Sequence, residues 1–94
     1  MEFDWDEGKN RANLRKHGLD FSDAWEAFEG PLLVKLDTSA NYGEDRWIGI
    51  GVLKSRPITV VLVFTEIEHD LIRIISMRKA NSNEQSQYEK AIKQ

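Results

Sequence analysis

The sequence predicts an α+β fold in the order β-α-α-β-β-β-β-α, an antiparallel meander sheet packed by helices. Three observations carry this. Residues 32–79 hold four apolar, strand-like runs, most of them joined by short links. The segments before and after them carry helix caps and helical spacing. The chain has 94 residues, 40% of them hydrophobic and 31% charged, which is enough for one modest core and therefore one domain over 1–94.

The elements follow in order. Phe3 and Trp5 alternate with acids in a short edge-like strand. Asp6 caps a first helix with Glu7 in its first turn and Arg15, Lys16 and His17 in its last, and Gly18 is its left-handed stop. A second helix begins near Ser22, because Phe21, Ala24, Trp25 and Phe28 form one apolar stripe, and Gly30-Pro31 ends it. Strands are expected at 32–36, 46–54, 58–66 and 71–79, with hairpin-length links at 55–57 and 67–70. The run TVVLVF is apolar on both faces, as in a central strand covered on each side. Gly49 and Gly51 share a strand face; a twist or bulge there is favoured over close approach of a helix or ligand. Residues 37–45 form the longest irregular piece and are expected to be mobile. Asn81 and Glu84 have capping-box spacing at the start of the last helix, which then carries Tyr88, Ala91 and Ile92 on the Glu84 face.

Composition narrows the function. With no cysteine, disulfides, thiolate zinc sites and a cysteine nucleophile are excluded, and His17 and His69 are the only imidazoles. No metal site or cofactor is called for. No apolar run approaches a membrane span and the N-terminus lacks a secretory pattern, so a cytoplasmic protein without a membrane partner is expected. A net charge of −3 argues against non-specific nucleic-acid binding. The distribution is uneven, however: residues 1–47 hold six Lys/Arg against eleven Asp/Glu, and residues 48–94 hold seven against five. Within the acidic half, residues 9–17 carry Lys9, Arg11, Arg15 and Lys16 without an acid.

The chemistry concentrates at the end of the last strand. Strict alternation puts Ile72, Ile74, Ser76 and Arg78 on one face and Arg73, Met77 and Lys79 on the other. Arg73 needs a carboxylate partner among its apolar neighbours, as a structural ion pair or at an interface. Arg78 faces solvent beside the start of the last helix. There a guanidinium can hold a phosphate through two parallel hydrogen bonds, with Glu84 and Tyr88 as proton carriers. The plainer reading pairs Arg78 with Glu84 structurally and packs Tyr88. Asn10, Leu14 and His17 share a helical stripe that Leu14 marks as core-facing, making His17 a half-buried imidazole before it is a catalytic base. Lys9, Arg11, Arg15 and Lys16 spread over the remaining surface, as a solvated face or an RNA-binding patch. His69 is a turn residue. The set fits metal-free RNA cleavage by internal attack of a 2′-hydroxyl, which needs a base, an acid and cations for the developing charge. No Gly-x-Ser-x-Gly elbow supports a hydrolase triad.

The order FDWDEGKNRANLRKHGLDFSDAWEAF, then Arg46 before a Gly-containing strand, then IRIISMRKA followed by Glu84 and Tyr88, resembles the BrnT family of toxins within the RelE-like group. The resemblance spans nearly the whole chain. It implies a RelE-like fold, RNA cleavage that stops translation, and a ribbon-helix-helix antitoxin that binds operator DNA, so that DNA is reached only through the antitoxin. Carried over by residue, it points to Lys16, His17, Arg46, Arg78, Glu84 and Tyr88; the catalytic candidates are His17, Arg46, Arg78, Glu84 and Tyr88, and the cations Lys9, Arg11, Arg15, Lys16 and Lys79 are the candidate RNA-binding residues. Two positions depart from it. Met77 stands where a small residue is common, and Ile67 where an arginine is. A catalytically inactive antitoxin-binding co-repressor is the alternative. A homo-oligomer and a heterotetramer with the antitoxin both stay open.

Overall fold

The computed structural model describes residues 1–41 and 43–93. Its elements are β1 (Glu2–Trp5), α1 (Glu7–His17), a 3-10 turn (Phe21–Asp23), α2 (Trp25–Phe28), β2 (Leu33–Leu36), β3 (Trp47–Leu53), β4 (Ile58–Glu68), β5 (Leu71–Lys79) and α3 (Ser82–Ile92). One five-stranded sheet runs in the order β1-β5-β4-β3-β2. The meander β2 to β5 is antiparallel as expected, and β1 joins its far edge parallel to β5, making the sheet mixed. Helices cover both faces, so β4 is buried as the doubly apolar TVVLVF pattern requires. Among the described residues no helix is long and apolar enough to cross a membrane.

One face carries the larger core, where Phe21, Leu53, Leu62, Ile74 and Met77 are fully buried beneath α1, the 3-10 turn and α2. The other carries a smaller cluster of Ile50, Val61 and Tyr88 beneath α3. Gly51 faces the first core. A Cβ there would stand 2.9 Å from Leu32 Cδ1 and 3.1 Å from Ala27 Cβ, and one at Gly49 would meet Phe64 and Leu32. β3 pairs with β4 without a register shift across both positions. Close approach, and not a twist or bulge, is therefore why glycine stands there.

The helix ends match the caps read from sequence. The Asp6 carboxylate accepts from the Lys9 N–H, and Gly18, at φ 71°, donates its N–H to Leu14 O. The second helix does not form as one piece. Asp20 caps the 3-10 turn, α2 lasts four residues, and Trp25 is left half exposed. The turn after β4 also comes later than expected, because the strand continues through Glu68 before Asp70 turns the chain at φ 72°. The irregular segment 37–45 includes Tyr42, which lies outside the described residues.

Two expectations about faces are corrected. In α1 the buried residues are Asn10 and Asn13, while Leu14 is 43% exposed and His17 is exposed. The helix docks through amides. Asn10 Oδ1 accepts from the Phe21 N–H and its Nδ2 donates to Asp20, while Asn13 bonds the main chain of Leu19 and Met77. In β5, Val63 pairs with Ser76 and Phe64 with Ile74, so Ile75 is an extra, bulged residue. The bulge shifts the alternation: Ile72, Ile74 and Met77 all enter the first core. Arg73 and Arg78, opposite Thr65 and Val61, thus share the α3 face instead of pointing to opposite sides.

Candidate functional site

The junction of β5 and α3 builds the site. The Asn81 side chain accepts from the Glu84 N–H, and the Glu84 carboxylate accepts from the Asn81 N–H, closing the capping box. Glu84 is thereby held over the end of β5. Arg78 rises from the strand beneath and donates Nη1 to Oε1 at 2.8 Å and Nη2 to Oε2 at 2.7 Å. The Arg78 side chain stays 42% exposed and that of Glu84 21%.

The pair forms one wall of a groove of about 250 Å³. Ile48, Ile50 and Val61 floor it, Leu33 and Lys35 of β2 stand opposite, and Gln87 extends the α3 wall. Hydrogen bonds from Arg78 lower the Glu84 pKa to about 2, with the Asn81 N–H and the charges of Arg78 and Lys35 adding and partial burial opposing. The same pairing raises the Arg78 pKa. At neutral pH the groove therefore presents a carboxylate with both oxygens engaged, a guanidinium with accessible surface, and an ammonium across an apolar floor. An anion entering it would compete with Glu84 for the Arg78 fork.

The other candidates separate into several places. Tyr88 is buried; its hydroxyl donates to Pro31 O at 2.7 Å, and burial raises its pKa. It anchors α3 to the segment before β2 and does not line the groove. Arg46 precedes β3, with its Nε 3.6 Å from Glu44 Oε1. By strand register it lies level with Thr65, four residues from Val61 and so about 13 Å along the sheet from Arg78. His17 ends α1 at the surface, and Lys9, Arg11, Arg15 and Lys16 are exposed along that helix. Lys79 ends β5, exposed. Arg73 has the carboxylate its position demanded: Asp4, beside it in the parallel register, accepts at 3.0 and 3.1 Å. Lys9 and Arg73 also border a separate hollow of about 310 Å³ next to Trp5. The structure thus brings Arg78 and Glu84 together and leaves His17, Arg46 and Tyr88 apart from them.

Sequence reasoning missed Lys35 and Asn13. Lys35 was readable, because strand alternation places it on the Leu33 side, facing Ile48. Asn13 had a weaker signal, a polar residue three positions after Asn10 on what proves to be the buried stripe.

A five-stranded sheet clasped by helices, with a guanidinium–carboxylate pair at the mouth of a cationic groove, defines a small α+β domain with an anion-competent groove. The family model described as ribonuclease toxin, BrnT, of type II toxin-antitoxin system matches residues 5–84, and the chain belongs to this family. The 1.1 Å crystal structure of the Brucella abortus ribonuclease toxin BrnT is similar at 32% identity and a TM-score of 0.67, covering 87% of this chain and 99% of that one. Among curated proteins no sequence matches the chain.

Proposed function

We propose that this chain is a metal-independent endoribonuclease whose single domain, residues 1–94, arrests translation by cleaving RNA. The observation that carries the proposal is the Arg78–Glu84 pair at an open groove. In the resting chain Glu84 neutralises Arg78. When a phosphodiester takes the guanidinium, Glu84 loses the partner that depresses its pKa and becomes a stronger base, in reach of a 2′-hydroxyl. Arg78, aided by Lys35, then stabilises charge on the phosphorane. Its collapse breaks the P–O5′ bond and leaves a 2′,3′-cyclic phosphate, the proton taken up by Glu84 passing to the departing 5′-oxygen. The α1 cations Lys9, Arg11, Arg15 and Lys16, with Lys79, hold flanking RNA, and Arg46 contacts it farther along the sheet. Tyr88 acts through packing, and His17, exposed and outside the groove, is at most an auxiliary proton carrier. The reaction draws on side chains alone.

The partner is a ribbon-helix-helix antitoxin that brings operator DNA to the complex, and the proteins act in the cytoplasm. Expression of the chain alone in growing bacteria, beside Arg78→Ala, tests the activity: growth arrest and broken RNA are expected only from the unmodified chain. Normal growth with intact RNA at high expression defeats the proposal.

The alternative, a co-repressor that binds antitoxin without cleaving RNA, is favoured by one specific observation: both Glu84 oxygens and the Tyr88 hydroxyl are already committed. It is the outcome if the chain binds antitoxin and RNA stays whole.

A further inference from the structure

We infer that Asn13 is a positioning residue for Arg78: by gripping the main chain of Met77 it fixes the strand register that turns the next side chain into the groove. The inference rests on the reading of Arg78 as the phosphate-holding cation. β1 stops pairing with β5 at Trp5 and Ile74, so from Ile75 onward the outer edge of β5 has no strand beside it. Asn13 occupies that edge. Its Nδ2 donates to Met77 O at 2.8 Å, and its Oδ1 accepts from the Met77 N–H at 3.2 Å. A primary amide offers a donor and an acceptor in one plane, as a neighbouring peptide group would.

Successive residues of a strand turn their N–H and C=O to opposite edges. The amide can therefore close this double bond with Met77 but not with Ser76 or Arg78. The bulge at Ile75 makes the selection matter. Absorbing it shifts everything beyond by one residue, turning Met77 outward and Arg78 toward the core. Asn13 is only 8% exposed and also donates to Leu19 O, so the grip is sheltered from competing water and tied to the end of α1. The cationic helix and the strand carrying Arg78 are thus locked by one side chain.

The test uses the purified full chain and a short single-stranded RNA. Asn13→Ala is expected to lower kcat about a hundredfold, the scale of an ångström misplacement, with little change in KM. In an Arg78→Lys background it costs far less, because its effect passes through residue 78. An equal loss in both backgrounds, or a change in KM alone, overturns the inference. NMR of the Arg78 guanidinium protons gives a reading that needs no cleavage: Glu84 slows their exchange in the unmodified chain, and Asn13→Ala is expected to release them while the Trp25 and Trp47 indole signals hold. Guanidinium signals that persist overturn it. Hydrogen exchange of the unmodified chain decides the matter if Asn13→Ala fails to fold: the Met77 amide is expected to be as protected as that of Val61, and exchange at the rate of a frayed edge overturns the clamp. Absence of RNA cleavage by the unmodified chain defeats the nuclease reading alone, leaving the NMR and exchange results to judge Asn13.

Discussion

The Arg78 guanidinium and the Glu84 carboxylate meet through two hydrogen bonds of 2.8 and 2.7 Å, one residue on the last strand and the other in the first turn of the last helix. The contact is both a structural tie and a chemical resource, and the two roles separate experimentally. Arg78→Ala is expected to reduce RNA cleavage by about 10²- to 10³-fold, the usual loss when a charge-stabilising donor is removed. Stability falls only modestly, because the Arg78 side chain is 42% exposed and the capping box keeps Glu84 in place. Cleavage assays beside a thermal melt check this; a collapsed melt with phosphate affinity unchanged would make the guanidinium structural.

The depressed Glu84 pKa sets an acid limit. A carboxylate lowered in the folded state from 4.5 to about 2 contributes stability that is fully present above its unfolded pKa and is lost as pH falls through the folded value. Glu84→Gln is therefore expected to flatten the stability profile between about pH 5 and pH 2, most of all midway, at about pH 3, where the unfolded state has bound the proton and the folded state has not. Denaturant titrations across that range, for both proteins, give the measurement.

Tyr88→Phe separates anchoring from chemistry. It removes the hydroxyl that donates to Pro31 O and leaves a part-buried carbonyl without that donor. The expected cost is about 1–3 kcal/mol, seen as a lower denaturation midpoint. RNA cleavage by the folded protein should be unchanged, because the hydroxyl does not line the groove. A loss of kcat without a loss of stability would return Tyr88 to the chemistry.

Gly51→Ala tests the close approach of α2 to the sheet. The new methyl would lie 2.9 Å from Leu32 Cδ1, which can move, and 3.2 Å from the Ala27 carbonyl, which can move less. Overpacking of this kind costs about 1–3 kcal/mol, so a melting temperature lowered by several degrees is expected. An unchanged melting temperature would show that the segment carrying Ala27 gives way freely.

Much of this architecture was legible in the sequence because local chemistry specifies it. Asp6, Gly18 and the Asn81–Glu84 box mark helix ends by their own hydrogen bonds, and TVVLVF announces a strand with two dry faces. The misreadings share a cause. Periodicity makes Leu14 a core residue, yet α1 docks through the amides of Asn10 and Asn13, which no hydropathy pattern favours. The faces of Arg73 and Arg78 were assigned by strict alternation, and the Ile75 bulge, a matter of pairing with β4, breaks it. The Arg78–Glu84 pair was readable because only five residues of turn and cap lie between them. Arg46 and His17 join it only through the family resemblance, and long-range geometry keeps them apart; Tyr88 joins it by helical spacing, but its buried hydroxyl turns to Pro31 O instead of the groove.

β2 closes the sheet on one side with four residues, and Leu33, Val34 and Leu36 are 36 to 42% exposed on it. Such a rim is a template for unwanted pairing between molecules; its brevity and the single charge of Lys35 are what blunt it. Lengthening the rim by even a few apolar residues would turn it into a seed for precipitation, so this border of the molecule tolerates shortening far better than growth.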